Sequence, residues 1–442
     1  MRAAPILFAF CAALSLAQTP GSPTLSLSLR HAVELALAPG GSARTQLAEE
    51  FIQQAEARSD QSRAAFLPDI ESSVLDENLT RNLKTFGISI PENPFFNLPT
   101  VVGPFTVFDA RASVTQTVFD FGAFQRYRAS RGSVAAAKAD SDATRDQVAA
   151  AVARSYLAAL RSDVAVETTK ANVELSQALL ELAKQQKAAG TGIGIDVTRA
   201  EVQLSDDRQR ALVAGTEKYR AHLELLRTIG LNLDADVALT DRLAYRAGRE
   251  PQLPEALAEA DKSRADLKAQ VQRERSARLS YSAVGMERLP SLSAFADYGS
   301  TGAAIDSASP TRTYGVAVRV PIFDGGRRQA RRVEGSSQYR QEQIRTRDLK
   351  QQIGMEVRVA LDGLRSADSQ VATARQGLQL AENELAQAQR RYKAGVANGV
   401  EVTDAQTRLQ RARDNQTAAL YNYSLSRVDL ATAMGTIQTS LP

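Results

Sequence analysis

Two segments of the chain alternate apolar and polar residues with a period of two. Between positions 106 and 120 the even positions carry Phe108, Ala110, Ala112, Val114 and Val118, whereas the odd positions carry Asp109, Arg111, Ser113, Thr115 and Thr117. Residues 312–323 repeat the alternation, and shorter apolar runs precede both segments. Such a period predicts strands with one apolar and one polar face. We expect four strands, at about 69–76, 105–120, 290–299 and 312–323.

The rest of the chain predicts long helices. No proline occurs from Phe105 to Glu250 or from Ile322 to Leu441. Because proline interrupts helix interiors, each stretch can hold one very long helix, at about 124–189 and 327–394. Each would measure about 100 Å at 1.5 Å per residue. Glycine-containing turns and shorter helices follow at about 195–229 and 400–435, and a further helix is expected at about 255–288.

The second pair of helices carries a heptad seam. Its apolar positions between Ile353 and Tyr392 are spaced alternately four and three residues apart, with alanine alternating with larger residues. This period of 3.5 predicts a left-handed coiled coil. The first pair is less regular, because Asp207 and Lys218 occupy seam positions.

The chain contains an internal duplication. Residues 118–122 read VFDFG and residues 322–326 read IFDGG, an offset of 204. Residues 190–198 read GTGIGIDVT and residues 395–403 read GVANGVEVT, an offset of 205. The repeated unit is strand, loop, strand, long helix, turn and helix. We therefore divide the chain into a first repeat at 18–230, which opens with a helix, a linker at 231–254 and a second repeat at 255–442.

The first 17 residues have the anatomy of a secretory signal. Arg2 precedes an apolar core at 6–16, and Ser15-Leu16-Ala17 predicts cleavage after Ala17. Cys11, the only cysteine, lies inside that core. The mature chain is therefore expected to have neither a disulfide nor a thiol nucleophile.

The charge distribution and the histidine content argue against nucleic-acid binding, a metal site and catalysis. Lys and Arg total 54 and Asp and Glu total 50, mixed along the helices, so no nucleic-acid patch is indicated. The two histidines, His31 and His222, have no metal-ligand spacing. We expect no enzyme activity, no cofactor and no metal site.

The strand count bears on membrane insertion. No apolar run after residue 17 is long enough for a membrane helix. In lipid an unpaired strand edge is costly, and four strands cannot close by themselves. Three copies would supply about twelve strands and leave a lumen. A soluble protein with half-buried strands is the alternative.

Residues 76–104 would form an outer loop that serves as a lid, a contact surface or a tolerated insertion.

Several segments together resemble one family. RYKAG at 391–395 is followed by EVTDAQ at 401–406, residues 190–201 form a first-repeat counterpart, and residues 27–37 read LSLRHAVELAL. In order, duplication and spacing the chain resembles the TolC family of outer-membrane efflux proteins. The resemblance implies a mostly α-helical homotrimer with a twelve-stranded barrel in outer-membrane lipid and a helical tunnel in the periplasm. It also implies a passive exit duct of a tripartite efflux pump or type I secretion system, without cofactor, docked to a periplasmic adaptor and an inner-membrane pump.

The resemblance places the functional residues at the periplasmic tips of the helical hairpins. Glu401 and Asp404 match acidic positions that ring the constriction, and Asp196 and Tyr392 match a pair that can hydrogen-bond in the closed state. Ala397 stands where an arginine latch can sit. The adaptor-docking surface is expected at Gly190, Gly194, Val197, Gly395, Gly399 and Val402.

Simpler explanations exist for the same residues. Glu401 and Asp404 fall in the first turn of a helix, where acids favour the positive end of the dipole. Tyr392 completes the heptad seam and can serve packing alone. For the whole chain, the alternative function is a periplasmic adaptor, which should contain one hairpin rather than two, or a coiled-coil structural protein.

Overall fold

The computed structural model describes residues 25–87, 100–246 and 248–440. The predicted signal at 1–17 and part of the predicted outer loop lie outside these residues. The described elements, in chain order, are β1 Leu25–Leu27, α1 Leu29–Leu37, α2 Ala43–Ala64, β2 Asp69–Asn82, β3 Val101–Phe119, α3 Phe121–Ala188, α4 Gly194–Ile229, β4 Val237–Leu239, α5 Leu253–Ser263, α6 Ala265–Met286, β5 Ser291–Gly302, β6 Ser309–Arg319, α7 Arg327–Lys393, α8 Gly399–Ala433 and α9 Ile437–Ser440.

The strands of the two repeats form one antiparallel sheet in the order β2-β3-β5-β6. The register aligns Ile70 with Val114 and Val114 with Ala296, and Ala296 in turn with Tyr314. The neighbouring row aligns Ser113 with Asp297 and Asp297 with Thr313. The alternation read from the sequence therefore becomes one apolar and one polar face, because successive residues of a strand point to opposite sides.

All four strands differ at their ends from the predicted ranges, and the largest differences at a strand's end are in β2 and β6. Strand β2 continues to Asn82, because Asp76 to Asn82 pair with residues of β3 through the backbone without alternating side chains. Strand β6 ends at Arg319, opposite Ser291 at the start of β5. Val320 and Ile322 continue the apolar alternation beyond that point and are exposed. A strand ends where its partner ends, and side-chain pattern alone cannot show this.

The helices form two long antiparallel hairpins, α3 with α4 and α7 with α8. In the second hairpin, Ala381, Leu385, Ala388 and Tyr392 of α7 pack against Val402, Ala405 and Leu409 of α8. These are residues of the heptad seam, and the alternation of alanine with larger side chains fills the space between the helices. No helix within the described ranges is long and apolar enough to cross a membrane.

A third region, near the middle of the long helices, joins the two repeats. Short parallel strands β1 and β4 pair there, and α1 packs on α3. The hydroxyl of Tyr156 in α3 lies 2.9 Å from the carbonyl oxygen of Leu27 and 2.8 Å from Asp241 Oδ2, two acceptors that share its single proton. The apolar core around Tyr156 also includes Val428 of α8 and Ile437 of α9. Strand β4 lies inside the linker predicted at 231–254, where the sequence showed only turn signals.

The prediction of a single helix at about 255–288 is wrong, because two helices, α5 and α6, occupy this part of the chain. Arg264 separates α5 from α6 with a ψ of 115°. Its guanidinium bonds Asp266 at 2.6 Å and Glu356 of α7 at 2.6 Å, and it donates to the carbonyl of Ala433 at 3.3 Å. These contacts hold Arg264 out of the helical conformation. Neither glycine nor proline marks the break in the sequence.

Candidate gate and docking tips

Both hairpin tips turn through the same backbone motif. Gly190 and Gly395 have φ values of 74° and 71°, in the left-handed region that favours glycine. After them, the N–H of Thr191 donates to the carbonyl of Gln186 at 3.0 Å, and the N–H of Val396 donates to that of Arg391 at 3.1 Å. This six-to-one bond satisfies a carbonyl at the helix end. Both glycines are therefore required by the turn itself.

The return helices begin at equivalent glycines. Gly194 is the first residue of α4 and Gly399 the first of α8, and each helix carries one acid in its first turn, Asp196 or Glu401. At α8 the side chain of Asn398 accepts from the N–H of Glu401 at 3.2 Å. Acids at these positions are favoured by the helix dipole.

Asp196 is buried where α4 meets α8. Only 7% of its surface is exposed, and Arg199 Nη1 lies 3.4 Å from Oδ1. A β-carbon built at Gly399 would lie 2.8 Å from Asp196 Cγ. A glycine at position 399 is what allows α8 to approach Asp196 this closely.

Glu401, the equivalent acid of the second repeat, has a different environment. Its Oε1 lies 3.0 Å from Arg391 Nε, and both side chains are partly exposed. Asp404 is exposed on the next turn of α8. The structure therefore does not bring Glu401 and Asp404 into the group around Asp196.

Asp196 and Tyr392 line the same small cavity. It has a volume of about 30 Å³, and its other lining residues include Gln203, Gly399, Thr403 and Gln406. Among the described residues, the buried Tyr392 hydroxyl has no hydrogen-bond partner. Burial, and secondarily the nearby Asp196 carboxylate, raise the pKa of Tyr392. The pair is thus adjacent without the direct hydrogen bond that the resemblance implied. The cavity is large enough for one water molecule.

A buried polar group lies next to this cavity, away from the tip. Asp207 of α4 is 1% exposed and accepts hydrogen bonds from Ser176 of α3, from Gln203 at 3.2 Å and from Gln410 of α8 at 2.8 Å. Gln406 of α8 donates to Ser176 Oγ. We call Ser176, Gln203, Asp207, Gln406 and Gln410 the Asp207 cluster. Of these residues only Asp207 stands out in the sequence, as a break in the apolar seam.

The comparisons with known proteins agree with this architecture. A family model described as outer membrane efflux protein matches residues 45–231 and 256–436. The chain belongs to the outer membrane efflux protein family. A pyoverdine export outer membrane protein, OpmQ of Pseudomonas putida, is 25% identical over 87% of this chain and 81% of its own length. The outer membrane protein TolC of Vibrio cholerae is 26% identical over 68% of this chain and 71% of its own length.

Solved structures show the same fold. The CmeC outer membrane channel of Campylobacter jejuni has a TM-score of 0.79 at 17% identity, covering 98% of this chain and 94% of that chain. The outer membrane protein VceC of Vibrio cholerae has a TM-score of 0.76 at 19% identity, covering 92% and 96%. The likeness extends over nearly the whole described chain, including both helical hairpins and the sheet.

At the tips of this family member, the exposed apolar residues differ from those expected. Val402 is 4% exposed and packs inside the second hairpin, and Val197 is half-buried. Val402 therefore cannot present its side chain to a partner. The exposed apolar side chains at the tips are Ile193, Ile195, Val396 and Val400. Ile195 and Val400 occupy equivalent positions of the duplication, a signal that the sequence contained.

The described part of the chain holds no group of three or more histidine, cysteine or acidic side chains that could bind a metal. The polar side chains described at the tips form hydrogen bonds and ion pairs, among them Asn398 with the N–H of Glu401 and Arg391 with Glu401. Such groups can hold neighbouring helices together and can favour or oppose the passage of ions.

Proposed function

We propose that the chain is one subunit of a homotrimeric outer-membrane channel, a passive exit duct that docks to a periplasmic adaptor and an inner-membrane pump. The observation that carries this proposal is the four-stranded sheet. Strands β2 and β6 are its two edges, and within the described residues neither edge has a second neighbour. Lipid leaves no alternative partner for the backbone groups of an edge, so closure by further copies is needed.

The two faces of the sheet support the same proposal. Tyr314, Val316 and Val318 on one face of β6 are each more than half exposed. The opposite face carries Arg111, which forms ion pairs with both Asp109 and Asp297. An apolar face directed at lipid and a polar face directed at water describe the wall of a channel. Three sheets would provide about twelve strands, enough for a closed wall with a lumen.

The hairpins supply the length of a duct. Helix α3 has 68 residues and α7 has 67, or about 100 Å each. They extend the wall into a helical tunnel through the periplasm. A periplasmic adaptor should contain one helical hairpin. This chain has two, each following a pair of strands, which favours the channel over the adaptor.

The tips are the proposed site of control. Threefold symmetry would repeat Asp196, Glu401 and Asp404 around the narrow end, and a ring of carboxylates favours cations. Replacement of Glu401 and Asp404 with alanine is expected to reduce cation selectivity in planar bilayers. Unchanged selectivity would place the constriction elsewhere. Tyr392 contributes to control through the cavity that it shares with Asp196.

The proposed docking surface combines the tip turns with their exposed apolar residues. Glycines Gly190, Gly194, Gly395 and Gly399 shape the turns, and Ile195 and Val400 offer apolar contacts to an adaptor. A cysteine at Ile195 or Val400 is expected to crosslink to an adaptor in cells that contain the complete pump. Val402→Cys is the control, since its side chain is buried. Equal crosslinking at all three positions would contradict this surface. The transported solute is the one that the pump delivers.

Two neighbouring residues of β6 test the channel wall directly. Val316 lies on the apolar face, and Ala317 lies on the opposite face, where it pairs with Ser293. An arginine directed at the middle of a bilayer costs about 2–4 kcal/mol. Val316→Arg is therefore expected to reduce recovery of heat-resistant trimers in the outer membrane. Ala317→Arg is expected to assemble and to change conductance. Normal assembly of both variants, or loss of both, would contradict the assignment of the faces.

A further inference from the structure

A band of exposed apolar side chains lies where the sheet meets the two longest helices, and we call it the junction band. Its members are Phe119, Phe121, Phe124, Ile322 and Phe323. Ile322 and Phe323 are 92% and 87% exposed, more than any other large apolar side chain that the structure describes. Phe119 pairs with Leu292, which belongs to the apolar face of the sheet. The junction band therefore continues that face to the first turns of α3 and α7.

Arginines collect immediately beyond the junction band, at the start of the same two helices. Residues 120–134 contain three arginines and one acidic residue, and residues 320–334 contain four arginines and two acidic residues. The aspartates of these segments are engaged, since Asp120 pairs with Arg126 at 3.4 Å and Asp324 pairs with Arg328 at 2.7 Å. The surface beside the junction band therefore carries a surplus of positive charge.

Arg128 and Arg332 contribute to this surplus without an acidic partner. Both side chains are exposed, and among the described residues neither forms an ion pair. The guanidinium carbon of Arg128 lies 6.0 Å from the centre of the Phe124 ring, so its charge rests against the junction band. Arg332 follows Arg128 by 204 residues, the offset that relates VFDFG to IFDGG. The two repeats thus present the same cation at the same place.

Both arginines lie on the outer side of the helical wall. Ala153 lies 25 residues beyond Arg128, or about seven helical turns, and so shares its side of α3. Val357 stands in the same relation to Arg332 on α7. Ala153 belongs to the core that α1 covers, and Val357 belongs to the core that α5 covers. A helix layered on the wall would obstruct a tunnel from within, so α1 and α5 mark the outside.

The two arginine side chains also lean toward the sheet. In an α-helix the Cα–Cβ bonds tilt toward the N-terminus, and the N-termini of α3 and α7 are the ends joined to the sheet. Arg128 is the eighth residue of α3 and Arg332 the sixth of α7, about 8–10 Å from the first residue of each helix. The headgroup layer on each side of a bilayer is about 5–8 Å thick. A long side chain that leans this way reaches that layer.

We propose that Arg128 and Arg332 each bind the phosphate of an anionic phospholipid in the inner leaflet of the outer membrane, an inference that rests on the channel proposed above. A guanidinium group binds phosphate oxygens through parallel hydrogen bonds. The junction band contacts the acyl chains next to that phosphate, a contact that a free anion cannot make. An anionic lipid is favoured over a zwitterionic one, because the ammonium group of the latter already balances its phosphate. Three subunits present about six such sites.

Native mass spectrometry can count the bound lipids directly. Trimers purified in a neutral detergent are stripped of lipid and incubated with dioleoyl phosphatidylglycerol. The original protein should retain about six lipids per trimer, each of Arg128→Gln and Arg332→Gln about three, and the double variant close to none. The control combines Arg340→Gln with Arg347→Gln. It removes two exposed arginines of α7 that also lack an ion pair among the described residues, and it should bind like the original protein.

Dioleoyl phosphatidylcholine and inorganic phosphate distinguish the possible ligands. Phosphatidylcholine should be retained several-fold less, and excess phosphate should not displace phosphatidylglycerol. The proposal is overturned by equal retention in the double variant and its control, by equal retention of the two lipids in the original protein, or by displacement with phosphate. The comparison of lipids uses the original protein alone, so a variant that assembles poorly does not remove the test. Failure to recover trimers of the original protein from the outer membrane would instead refute the channel, before any lipid is added.

Discussion

Gly399→Ala offers a sharp test of the geometry at the tips. The added β-carbon would lie 2.8 Å from both Cγ and Oδ1 of Asp196. Non-bonded carbon atoms pack at about 3.5–4.0 Å, so either α8 or Asp196 must move by roughly 0.7 Å or more. Asp196 is buried beside Arg199, and the cavity of about 30 Å³ that it lines has room for only one water molecule. The substitution therefore introduces overpacking into the junction between α4 and α8.

The size of the effect can be estimated from the structure. Overpacking of a well-packed site costs about 1–3 kcal/mol. At roughly 2.1 cal/mol/K per residue, the 442 residues of the chain give an unfolding entropy of about 0.9 kcal/mol/K. The thermal midpoint should then fall by about 1–3 °C. The control is Gly194→Ala, also at the first residue of a helix, where a β-carbon meets only Lys187 Nζ at 3.9 Å.

The two variants share every general effect of replacing glycine with alanine, including helix propensity and the entropy of the unfolded chain. The difference between their midpoints in detergent therefore isolates the contact with Asp196. Asp196→Ala removes Cγ and Oδ1 and should abolish most of that difference in a double-mutant cycle. Equal midpoints for Gly399→Ala and Gly194→Ala, or no coupling to Asp196, would refute the close approach of α8 to α4.

Two further substitutions follow from buried polar groups. Tyr392→Phe removes a buried hydroxyl that has no partner among the described residues. It should leave the thermal midpoint unchanged or raise stability by about 1 kcal/mol, whereas a loss of more than about 1 kcal/mol would indicate a bridging water or a direct bond. Asp146 accepts from Gln438 at 2.7 Å, and burial is the main cause of its raised pKa, with Asp142 and Asp266 adding to it. A raised folded-state pKa gives stability that is present below the ordinary pKa and lost as pH rises through the folded value. Asp146→Asn should therefore stabilise the protein at neutral pH by less than about 1 kcal/mol, since solvent screens a half-buried group. No gain is expected at a pH below the ordinary range, so an equal gain at both pH values would contradict this assignment.

The sequence contained the periodic features of this fold. Period-two alternation indicated β3 and β6, and the absence of proline indicated α3 and α7, because both signals repeat over many residues. Features that depend on a single contact were missed. Arg264 interrupts a helix through bonds to Glu356 and the carbonyl of Ala433, residues that lie far along the chain. Strand β4 forms only because β1, more than two hundred residues earlier, pairs with it.

The candidate site divides in the same way. The glycines of the tips were found because the turn recurs in both repeats and requires a left-handed residue. Val402 was expected on the docking surface, but its side chain is buried inside the second hairpin. The heptad spacing of the seam continues through position 402 and could have indicated this burial. The Asp207 cluster could not be assembled from the sequence, because its hydrogen bonds join α3, α4 and α8. Only the interruption of the seam at Asp207 was visible.

The unequal surroundings of equivalent residues follow from the duplication itself. Asp196 and Glu401 occupy equivalent positions of the repeated unit, but their surroundings differ. Asp196 is buried against α8, whereas Glu401 is partly exposed and pairs with Arg391. One chain contains one junction from its first hairpin to its second, so only one copy of each pair can meet its partner within the chain. Tyr392 lies beside that junction, whereas its counterpart Lys187 does not line the cavity. Residues at such positions experience different packing and can diverge, whereas Gly190 and Gly395 perform the same backbone turn and remain the same.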